Sequence, residues 1–360
     1  MAIAINPAVP GKAVDRTDLL IDTPYSADIT EALGIFTPYY SSQKNVEIVR
    51  NTFQSHILDD RNWDERDQTV AGADRSSLVL KIPHTPVRDA IYPHDVDGVL
   101  TGDGIDPLRL ETVAEVRAEK MFVMRQAMAD TLAAARWELL TEGTVRAPHG
   151  TMKTSYGPTV NFYTEFGITR RSTAVALTGN SDPRAQFQQI LQLARQAARG
   201  AGGQARRWVV LAGTEWFAAL LNNPYIIESQ RVLSPASLQS TSALLGVLPS
   251  YPGLDTIDAT FPSITLFGIT FIDAGAAGYT NNAGVFVPGV PTDEAIMMPL
   301  GINLAKTYYA PANRFSTINR VSQGNYLFEK ASDEKIELLA ESNFLNALLA
   351  PNAVETLTLG

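Results

Sequence analysis

The chain has 360 residues, 45% of them hydrophobic and 19% charged, which is the composition of a folded protein with room for two or three cores. Its formal net charge of -9 argues against a surface that gathers nucleic acid by neutralising phosphates. The absence of cysteine excludes disulfides, thiolate catalysis and cysteine-ligated zinc, and it is compatible with a reducing cytoplasm.

The N-terminal segment, residues 1–44, is rich in Pro, Asp, Thr and Ser, with one modest amphipathic patch from Ile29 to Phe36. Pro7, Pro10 and Gly11 break its weakly apolar start, so the pattern does not predict a signal peptide. The segment has too little apolar surface to form a core of its own. We therefore predict an N-terminal arm that needs a neighbour to pack on.

Two β-rich runs follow the arm, Asn45–Leu58 and Ser77–Arg88, and a strongly charged segment joins them. This pattern predicts a long hairpin within an extended loop, residues 45–92, whose solvated tip runs from Asp59 to Arg75. Two isolated strands are only marginally stable in water, so the hairpin must lie on something else. It either laps over a neighbouring subunit or folds back on its own domain.

A long spine helix is predicted from Pro107 to Glu142. Asp106 and Pro107 suit the N-cap and the first helical position, and Gly143 can adopt the left-handed stop. At about 1.5 Å per residue the helix would be about 54 Å long. Charged residues interrupt its apolar run, so we expect it to pack against sheet of the same chain and not to cross a membrane. The predicted buried stripe consists of Leu110, Val113, Met121, Met124, Met128, Leu132, Ala135 and Leu139.

A β-rich excursion, Thr144–Val175, is predicted after the spine. Within it Val160, Phe162 and Phe166 alternate with other residues and indicate a strand. We expect this excursion to return to the domain that contains the spine.

An α/β module is predicted from residue 183 to residue 301, where helical and strand patterns alternate. Asp182 and Pro183 open its first helix. The tail, residues 302–360, returns to extended patterns that suit long strands rejoining the earlier domain. The predicted buried face of the first helix consists of Phe187, Ile190, Leu191 and Ala194.

Two segments are weak matches to binding motifs. Gly200, Gly202 and Gly203 follow a helix, whereas a dinucleotide fingerprint follows a strand, so they indicate the end of the helix. Residues 95–106 do not match a calcium loop, because Gly98 occupies position four and the loop needs glycine at position six. Turn and capping roles are expected for Asp95, Asp97, Asp103 and Asp106.

No residue pattern predicts catalysis. Thr214 stands where a nucleophile elbow would, but the sequence there is GTEWF, so its hydroxyl is expected to cap a helix. The four histidines lack an i, i+4 pair or an HExxH spacing; they are His56, His84, His94 and His149. One basic concentration indicates an interface or a solvated face; it consists of Arg170, Arg171, Arg184, Arg195, Arg199, Arg206 and Arg207. We assign no catalytic, cofactor-binding or metal-ligating residue and expect no cofactor.

The order of these elements resembles that of a tailed-phage major capsid protein, specifically the capsid protein E family of the lambda type. The most specific part is DEKIELLAESNFLNALLAPNAVETLTL, Asp333–Leu359, which is similar to the ending of that family. A second part is RRWVVLAGTEWFAALLNNPYIIES, Arg206–Ser229, which resembles the family's strand-to-helix entry into its axial domain.

The resemblance implies an α+β fold, the tailed-phage major capsid fold of the Hong Kong phage type. Its parts would be an N-terminal arm (1–44), an extended hairpin loop (45–92), a peripheral domain (93–182 and 302–360) with the spine helix 107–142, and an axial α/β domain (183–301).

The resemblance also implies self-assembly into hexamers and pentamers of an icosahedral phage head that encloses double-stranded DNA without sequence-specific binding. The implied partners are further copies of the chain, a separate scaffolding protein, a portal and often a decoration protein at three-fold sites. The implied location is the virion, after assembly in the cytoplasm of the bacterial host. Two alternatives stay open: a nanocompartment shell of the same fold, and a metal-dependent hydrolase that uses His84, His94, Asp95 and Asp97.

Overall fold

The computed structural model describes residues 28–52, 74–97, 100–101, 109–110, 112–146, 159–178, 181–198, 204–233, 261–317 and 319–360. The helices described there are α1 (Ile29–Ala32), α2 (Pro93–Val96), α3 (Val113–Glu142), α4 (Phe162–Glu165), α5 (Arg184–Ala197), α6 (Thr214–Asn222) and α7 (Pro224–Leu233). The strands are β1 (Phe36–Tyr40), β2 (Asn45–Thr52), β3 (Asp74–Lys81), β4 (Pro86–Ile91), β5 (Leu100–Thr101), β6 (Arg109–Leu110), β7 (Thr144–Arg146), β8 (Thr159–Asn161), β9 (Arg171–Val175), β10 (Arg207–Ala212), β11 (Ser263–Leu266), β12 (Ile269–Asp273), β13 (Gly278–Thr280), β14 (Phe286–Pro288), β15 (Glu294–Leu300), β16 (Ala305–Ala310), β17 (Asn325–Ala331), β18 (Ile336–Leu348) and β19 (Glu355–Leu359).

A five-stranded sheet is built around β18, which is 13 residues long. The N-terminal half of β18 lies between β4 and β17, and its C-terminal half pairs with β16. β1 extends the edge of this sheet by pairing in parallel with β16. The tail thus contributes long strands, and they join one strand from the predicted arm and one from the predicted extended loop.

Buried polar side chains mark the point where β18 changes partners. The carboxylate of Glu341 accepts the backbone N–H of Asn313 at 2.9 Å. The amide of Asn343 donates to the carbonyl of Pro311 at 3.2 Å, and its Oδ1 accepts the N–H of Thr85 at 3.0 Å. These bonds satisfy backbone groups that leave the strand ladder, and they hold the segment after β16 against the sheet.

The spine helix α3 begins at Val113, so its predicted start at Pro107 is wrong. Thr112 is the N-cap: its Oγ1 accepts the N–H of Glu115 at 3.4 Å, and the carboxylate of Glu115 accepts the N–H of Thr112 at 2.8 Å. This capping box starts the helix later, because Arg109–Leu110 pair with β5 as strand β6. The sequence signal was Thr-x-x-Glu, which the prediction overlooked.

The helix α3 has 30 residues and therefore a length of about 45 Å. It ends at Gly143 with a φ of 71°, which confirms the predicted left-handed stop. It also packs on sheet of its own chain, as predicted. Its first half forms a small core with β4 and β18, which consists of Ile91, Val116, Met124, Met128, Leu338 and Ala340.

The predicted buried stripe of α3 is correct only in part. Met124, Met128 and Leu139 are buried, but Val113 is exposed, and Trp137 is buried although the stripe omitted it. The two halves of the helix are covered by different elements, the first by β4 and β18 and the second by β7 and β13. The buried face therefore changes along the helix, which a single periodic stripe does not describe.

A six-stranded sheet in the order β11-β12-β10-β15-β19-β9 lies in the main core. Its strand β10 is a continuous apolar run, buried from Trp208 to Ala212, as expected for a strand covered on both faces. The rings of Phe187 and Trp216 lie 5.1 and 5.9 Å from the ring of Phe271. The predicted buried face of α5 is confirmed, although Pro183 is its N-cap and not its first helical residue.

Two strands of this sheet come from outside the predicted α/β module. β9 precedes residue 183 and β19 follows residue 301, yet β19 pairs with both β15 and β9. The predicted domain boundaries stay a prediction, and the pairing of β15 with β19 joins a strand of the predicted axial domain to one of the predicted peripheral domain.

Two predicted strands have a different form in the structure. The run Ser77–Arg88 contains two strands, because β3 ends at Lys81 and the chain passes Pro83 before β4 joins β18. Phe162 and Phe166 lie on and directly after a short helix and not on a strand. The reason is Asn161, whose side chain accepts backbone N–H groups and so caps that helix.

Candidate assembly surfaces

The base of the predicted hairpin is confirmed as an antiparallel pair of β2 and β3, with Thr52 opposite Asp74. One face is buried in the main core of the same chain through Val46, Ile48 and Leu80. The opposite face is exposed, and the side chain of Val79 there is 65% exposed. The charged tip falls largely on residues 53–73, which are outside the described part of the chain.

A contact with Phe166, the residue directly after α4, holds the base of the hairpin in place. The guanidinium of Arg50 donates to the carbonyl of Phe166 and lies 5.9 Å from the centre of its ring. The inner face of the hairpin therefore folds back on its own domain, one of the two predicted arrangements. Its outer face, with Val49 and Val79, is left exposed by the described part of the chain.

The last part of the predicted arm is anchored on the spine helix by a buried arginine. Arg136 donates to Asp28 Oδ2 at 2.5 Å and to Glu31 Oε2 at 3.2 Å. Its guanidinium also lies 5.4 Å from the centre of the Phe36 ring. In the sequence Arg136 is one of the charged residues that interrupt the apolar run of the spine, and only the position of the arm explains its burial.

Two aromatic pairs cover the edge of the five-stranded sheet where this arm joins it. The ring of Tyr39 lies 5.4 Å from that of Tyr308, and the ring of Tyr40 is stacked 5.3 Å from that of Tyr309. Tyr39 and Tyr40 are both about half exposed. The parallel register of β1 and β16 creates these pairs, so the separate sequence segments gave no signal for them.

Of the residues of the hydrolase alternative, His94 and Asp95 lie together, with His94 Nε2 3.4 Å from Asp95 Oδ1, while His84 contacts Asn343. His84 Nδ1 lies 3.0 Å from Asn343 Oδ1, and the ring of His94 is stacked on Tyr92 with a centroid distance of 5.4 Å. In the described residues no group of three or more His, Cys, Asp or Glu side chains is arranged to hold a metal ion. The structure therefore does not bring together the site that this alternative requires.

Asp95, a further residue of that alternative, is bound within its own chain. The backbone N–H of Tyr92 donates to Asp95 Oδ2 at 3.0 Å, and Lys120 Nζ lies 3.2 Å from the same oxygen. Both contacts lower the pKa of Asp95, with the Tyr92 hydrogen bond the larger cause. The expected capping role of Asp95 agrees with these bonds. His56, His149, Asp103, Asp106 and the glycines at 200, 202 and 203 lie outside the described residues.

The predicted basic concentration does not form one solvated face. Arg171 pairs at 3.0 Å with Glu355, which is buried, and Arg170 donates to the hydroxyl of Thr356 at 2.6 Å. These bonds tie β9 to β19 within the six-stranded sheet. Arg184 pairs instead with Asp182 at 2.6 Å, and Arg199 lies outside the described residues.

The predicted cap at Thr214 is also wrong, because the N-cap of α6 is Gly213. Gly213 takes this position because Pro291 and Thr292 pack so closely that a Cβ there would meet the carbonyl of Pro291 at 2.0 Å. Thr214 is the first helical residue, and its hydroxyl lies against Gly275.

Residues 19–359 match the family described as phage major capsid protein E. The chain belongs to this family. It is therefore a shell-forming capsid protein of a phage, as its sequence resemblance implied, and its location is the virion. Within the described part of the chain, no helix is both long and apolar enough to cross a membrane.

A sequence relative agrees with this assignment, and two solved structures share the fold. The major capsid protein of Pseudomonas phage KPP10 is 25% identical over 346 residues, which cover 94% of each chain. The crystal structure of a putative capsid protein of an E. coli CFT073 prophage has a TM-score of 0.53 at 12% identity, covering 96% of this chain and 97% of that one. The capsid of cyanophage P-SCSP1u has a TM-score of 0.50 at 11% identity, covering 95% and 90%. The predicted α+β capsid fold is thus confirmed.

Proposed function

We propose that the chain assembles into the hexamers and pentamers of an icosahedral phage head that encloses double-stranded DNA. The observation that carries this proposal is the hairpin of β2 and β3. Its inner face is buried on its own chain, while Val49 and Val79 stay exposed on the outer face. A two-stranded ribbon with apolar residues on both faces is best stabilised when a second surface covers the outer one. A neighbouring subunit provides that surface.

The proposed partners are a separate scaffolding protein, a portal, and a decoration protein at three-fold sites. Assembly takes place in the cytoplasm of the bacterial host, with which a chain that contains no cysteine is compatible. The net charge of -9 supports enclosure of DNA without sequence-specific binding, because an acidic shell does not grip phosphates.

The test is to express the chain with and without a scaffolding protein and to image the purified products by electron microscopy. Closed shells with five-fold and six-fold capsomers are expected. A protein that stays monomeric in both preparations at all concentrations would refute the proposal. The family match does not favour a nanocompartment, and nuclease-protected DNA in the native particle, in place of enclosed enzymes, separates the two.

We also propose that the chain is a structural protein without enzymatic activity. Support comes from the family and from the position of His84, which contacts Asn343 while His94 and Asp95 lie against each other and Tyr92. Mass spectrometry of the purified shells should find no stoichiometric metal, and hydrolytic assays should find no turnover. A tightly bound metal together with turnover that is lost in His84→Ala would reinstate the hydrolase.

A further inference from the structure

We propose that Phe315 of one copy inserts into an acidic-rimmed apolar pocket of a second copy, beside the turn that joins β17 to β18. The inference rests on the proposed shell-forming function and names two surfaces that meet in the shell. The knob loop is defined as residues 311–317. The pocket is bounded by apolar residues Ile91, Val113 and Ile336 and by acidic residues Asp97, Asp333 and Glu334.

Phe315 has an unusual position for a large apolar side chain. It is 97% exposed, the highest value among the exposed large hydrophobic residues of the described chain. A ring of this size buries about 150 to 250 Å² when it finds a partner surface, and aromatic residues often anchor protein interfaces. No described residue of the same chain covers this ring, so its surface is available to another chain.

The knob loop is held firmly although its ring is exposed. Asn313 accepts a bond from Lys44 Nζ at 2.8 Å, and its backbone N–H donates to Glu341 at 2.9 Å. Thr317 Oγ1 donates to the carbonyl of Ala312 at 2.8 Å, which closes the loop on itself. Little conformational entropy is lost when a ring on such a preorganised loop is bound, and this favours association.

The pocket is large enough to admit the ring and has apolar residues in its lining. Its volume is about 490 Å³, within the usual range of sites that enclose small organic groups. Ile91 and Ile336 form its inner wall and also pack in the small core beneath α3. Lys335 on the rim pairs with Glu337 at 2.6 Å, so the exposed acidic residues give the rim a negative charge.

Charge complementarity identifies the occupant as a second copy of this chain. Arg314 is held within its own chain, 3.8 Å from Glu341 and over the ring of Phe328, whereas the exposed Arg320, five residues after Phe315, would face the acidic rim. The ring does not fill the pocket of its own chain, because Asn343, which anchors the knob loop, lies about 23 Å from Ile336 along β18 at about 3.3 Å per residue. A contact between two different surfaces of identical chains forms a ring where its rotation closes, which is the geometry of a capsomer or of a junction of capsomers.

Disulfide cross-linking tests the contact directly, because the chain contains no cysteine. Phe315→Cys and Val113→Cys are combined in one chain, which is assembled and then oxidised. A ladder of covalent oligomers is expected on a non-reducing gel, and each single variant is expected to run as a monomer. The matched control combines Val113→Cys with Val285→Cys, since Val285 is an exposed apolar residue, 57% exposed, on the turn between β13 and β14. This control should give no ladder.

A functional test uses Phe315→Ser, with Val285→Ser as its control. Both variants should unfold like the unaltered subunit, since both side chains are exposed, but only Phe315→Ser should lower the yield of shells, by at least tenfold. Glu334→Arg should lower the yield in the same way, and adding Arg320→Glu should restore it.

Shells at normal yield from Phe315→Ser, or a missing ladder in intact shells, would overturn the inference while leaving the shell-forming function in place. If Val113→Cys cross-links to a cysteine of the scaffolding protein and no ladder forms between copies, the scaffolding protein binds the pocket. That result would also overturn the inference. Failure of the unaltered chain to form shells would refute the proposed function instead.

Discussion

Gly143 ends the spine helix for two independent reasons. Its φ of 71° lies in the left-handed region, where any residue with a Cβ is strained. A Cβ there would also come 2.2 Å from the ring of Tyr163, which packs over the end of the helix. Gly34 has a similar φ of 63°, but nothing lies within 4 Å of its Cβ position. Comparing an alanine at Gly143 with an alanine at Gly34 therefore separates the cost of backbone strain from the cost of steric conflict.

We expect Gly143→Ala to lower the free energy of unfolding of the unassembled subunit by about 2 to 4 kcal/mol, from backbone strain and overpacking together. Gly34→Ala should lower it by only about 1 kcal/mol, from strain alone. Urea unfolding followed by circular dichroism measures both values. Equal losses in the two variants would mean that the Tyr163 ring moves aside at little cost.

Asp95 makes stability depend on pH near the beginning of the spine. Its pKa is lowered in the folded chain, first by the hydrogen bond from Tyr92 and then by Lys120. A group whose pKa is lower in the folded state stabilises the fold above its ordinary pKa of about 3.9, and this stabilisation is lost as the pH falls through the folded value. Asp95→Asn should therefore destabilise the subunit at pH 7, and the difference from the unaltered chain should shrink toward pH 3. Thermal unfolding across this range measures the difference, and a gap that stays constant with pH would contradict the assignment.

At the scale of the element, the first half of the spine depends on its contact with β4 and β18. Met124 is 3% exposed and packs in the small core there, whereas Arg125 beside it faces solvent. Met124→Asp should lower the free energy of unfolding by about 3 to 5 kcal/mol, through lost packing and a buried unpaired carboxylate. Arg125→Ala should change it by less than about 0.5 kcal/mol. Soluble shells at normal yield from Met124→Asp would show that the helix contacts the sheet through another face.

The second half of the spine depends on the arm through Arg136. Arg136→Met should remove both carboxylate contacts and leave Asp28 partly buried without its cation, at a cost of about 1 to 3 kcal/mol. Adding Asp28→Asn should recover part of this loss, because asparagine still caps α1 but carries no charge. A double-mutant cycle in urea measures the coupling. Simple additivity would mean that the arm is not held by this pair.

At the scale of the whole molecule, shortening the hairpin tests the folding of the subunit separately from its assembly. Its base is part of the core of the chain, and Thr52 and Asp74 face each other where its described strands end. Replacing residues 53–73 by Asn-Gly should therefore close the two strands and leave thermal unfolding and helix content of the subunit little changed. Shell formation should fail if these residues make the contact between subunits that we propose for the hairpin.

Electron microscopy of this shortened variant under assembly conditions measures the outcome. Normal shells from a normally folded variant would mean that the tip contributes nothing between subunits. Assembly of the unaltered chain should also respond to ionic strength, since salt screens the charges that the tip carries. Those charges are Asp59, Asp60, Arg61, Asp64, Glu65, Arg66 and Asp67.

Patterns that one element completes by itself were predictable from the sequence. The left-handed stop at Gly143, the buried face of α5 and the apolar run of β10 all follow from local spacing or from one residue's conformational range. The start of α3 at Val113, six residues after the predicted start, was also encoded by a local pattern, the capping box of Thr112 and Glu115. The order of the predicted elements was sufficient to identify the family, because a fold is defined by the order of its helices and strands along the chain.

Only the tertiary structure decided what covers each element. Arg136 is buried because the arm returns to the spine, and Arg171 pairs with Glu355 because β9 and β19 share a sheet although they are far apart in the chain. His84 contacts Asn343 of β18, whereas His94 is stacked on Tyr92, so their different contacts keep the two histidines apart. Periodicity reports which face of an element is apolar, but burial and charge pairing depend on contacts between distant segments, and these are set when the whole chain packs.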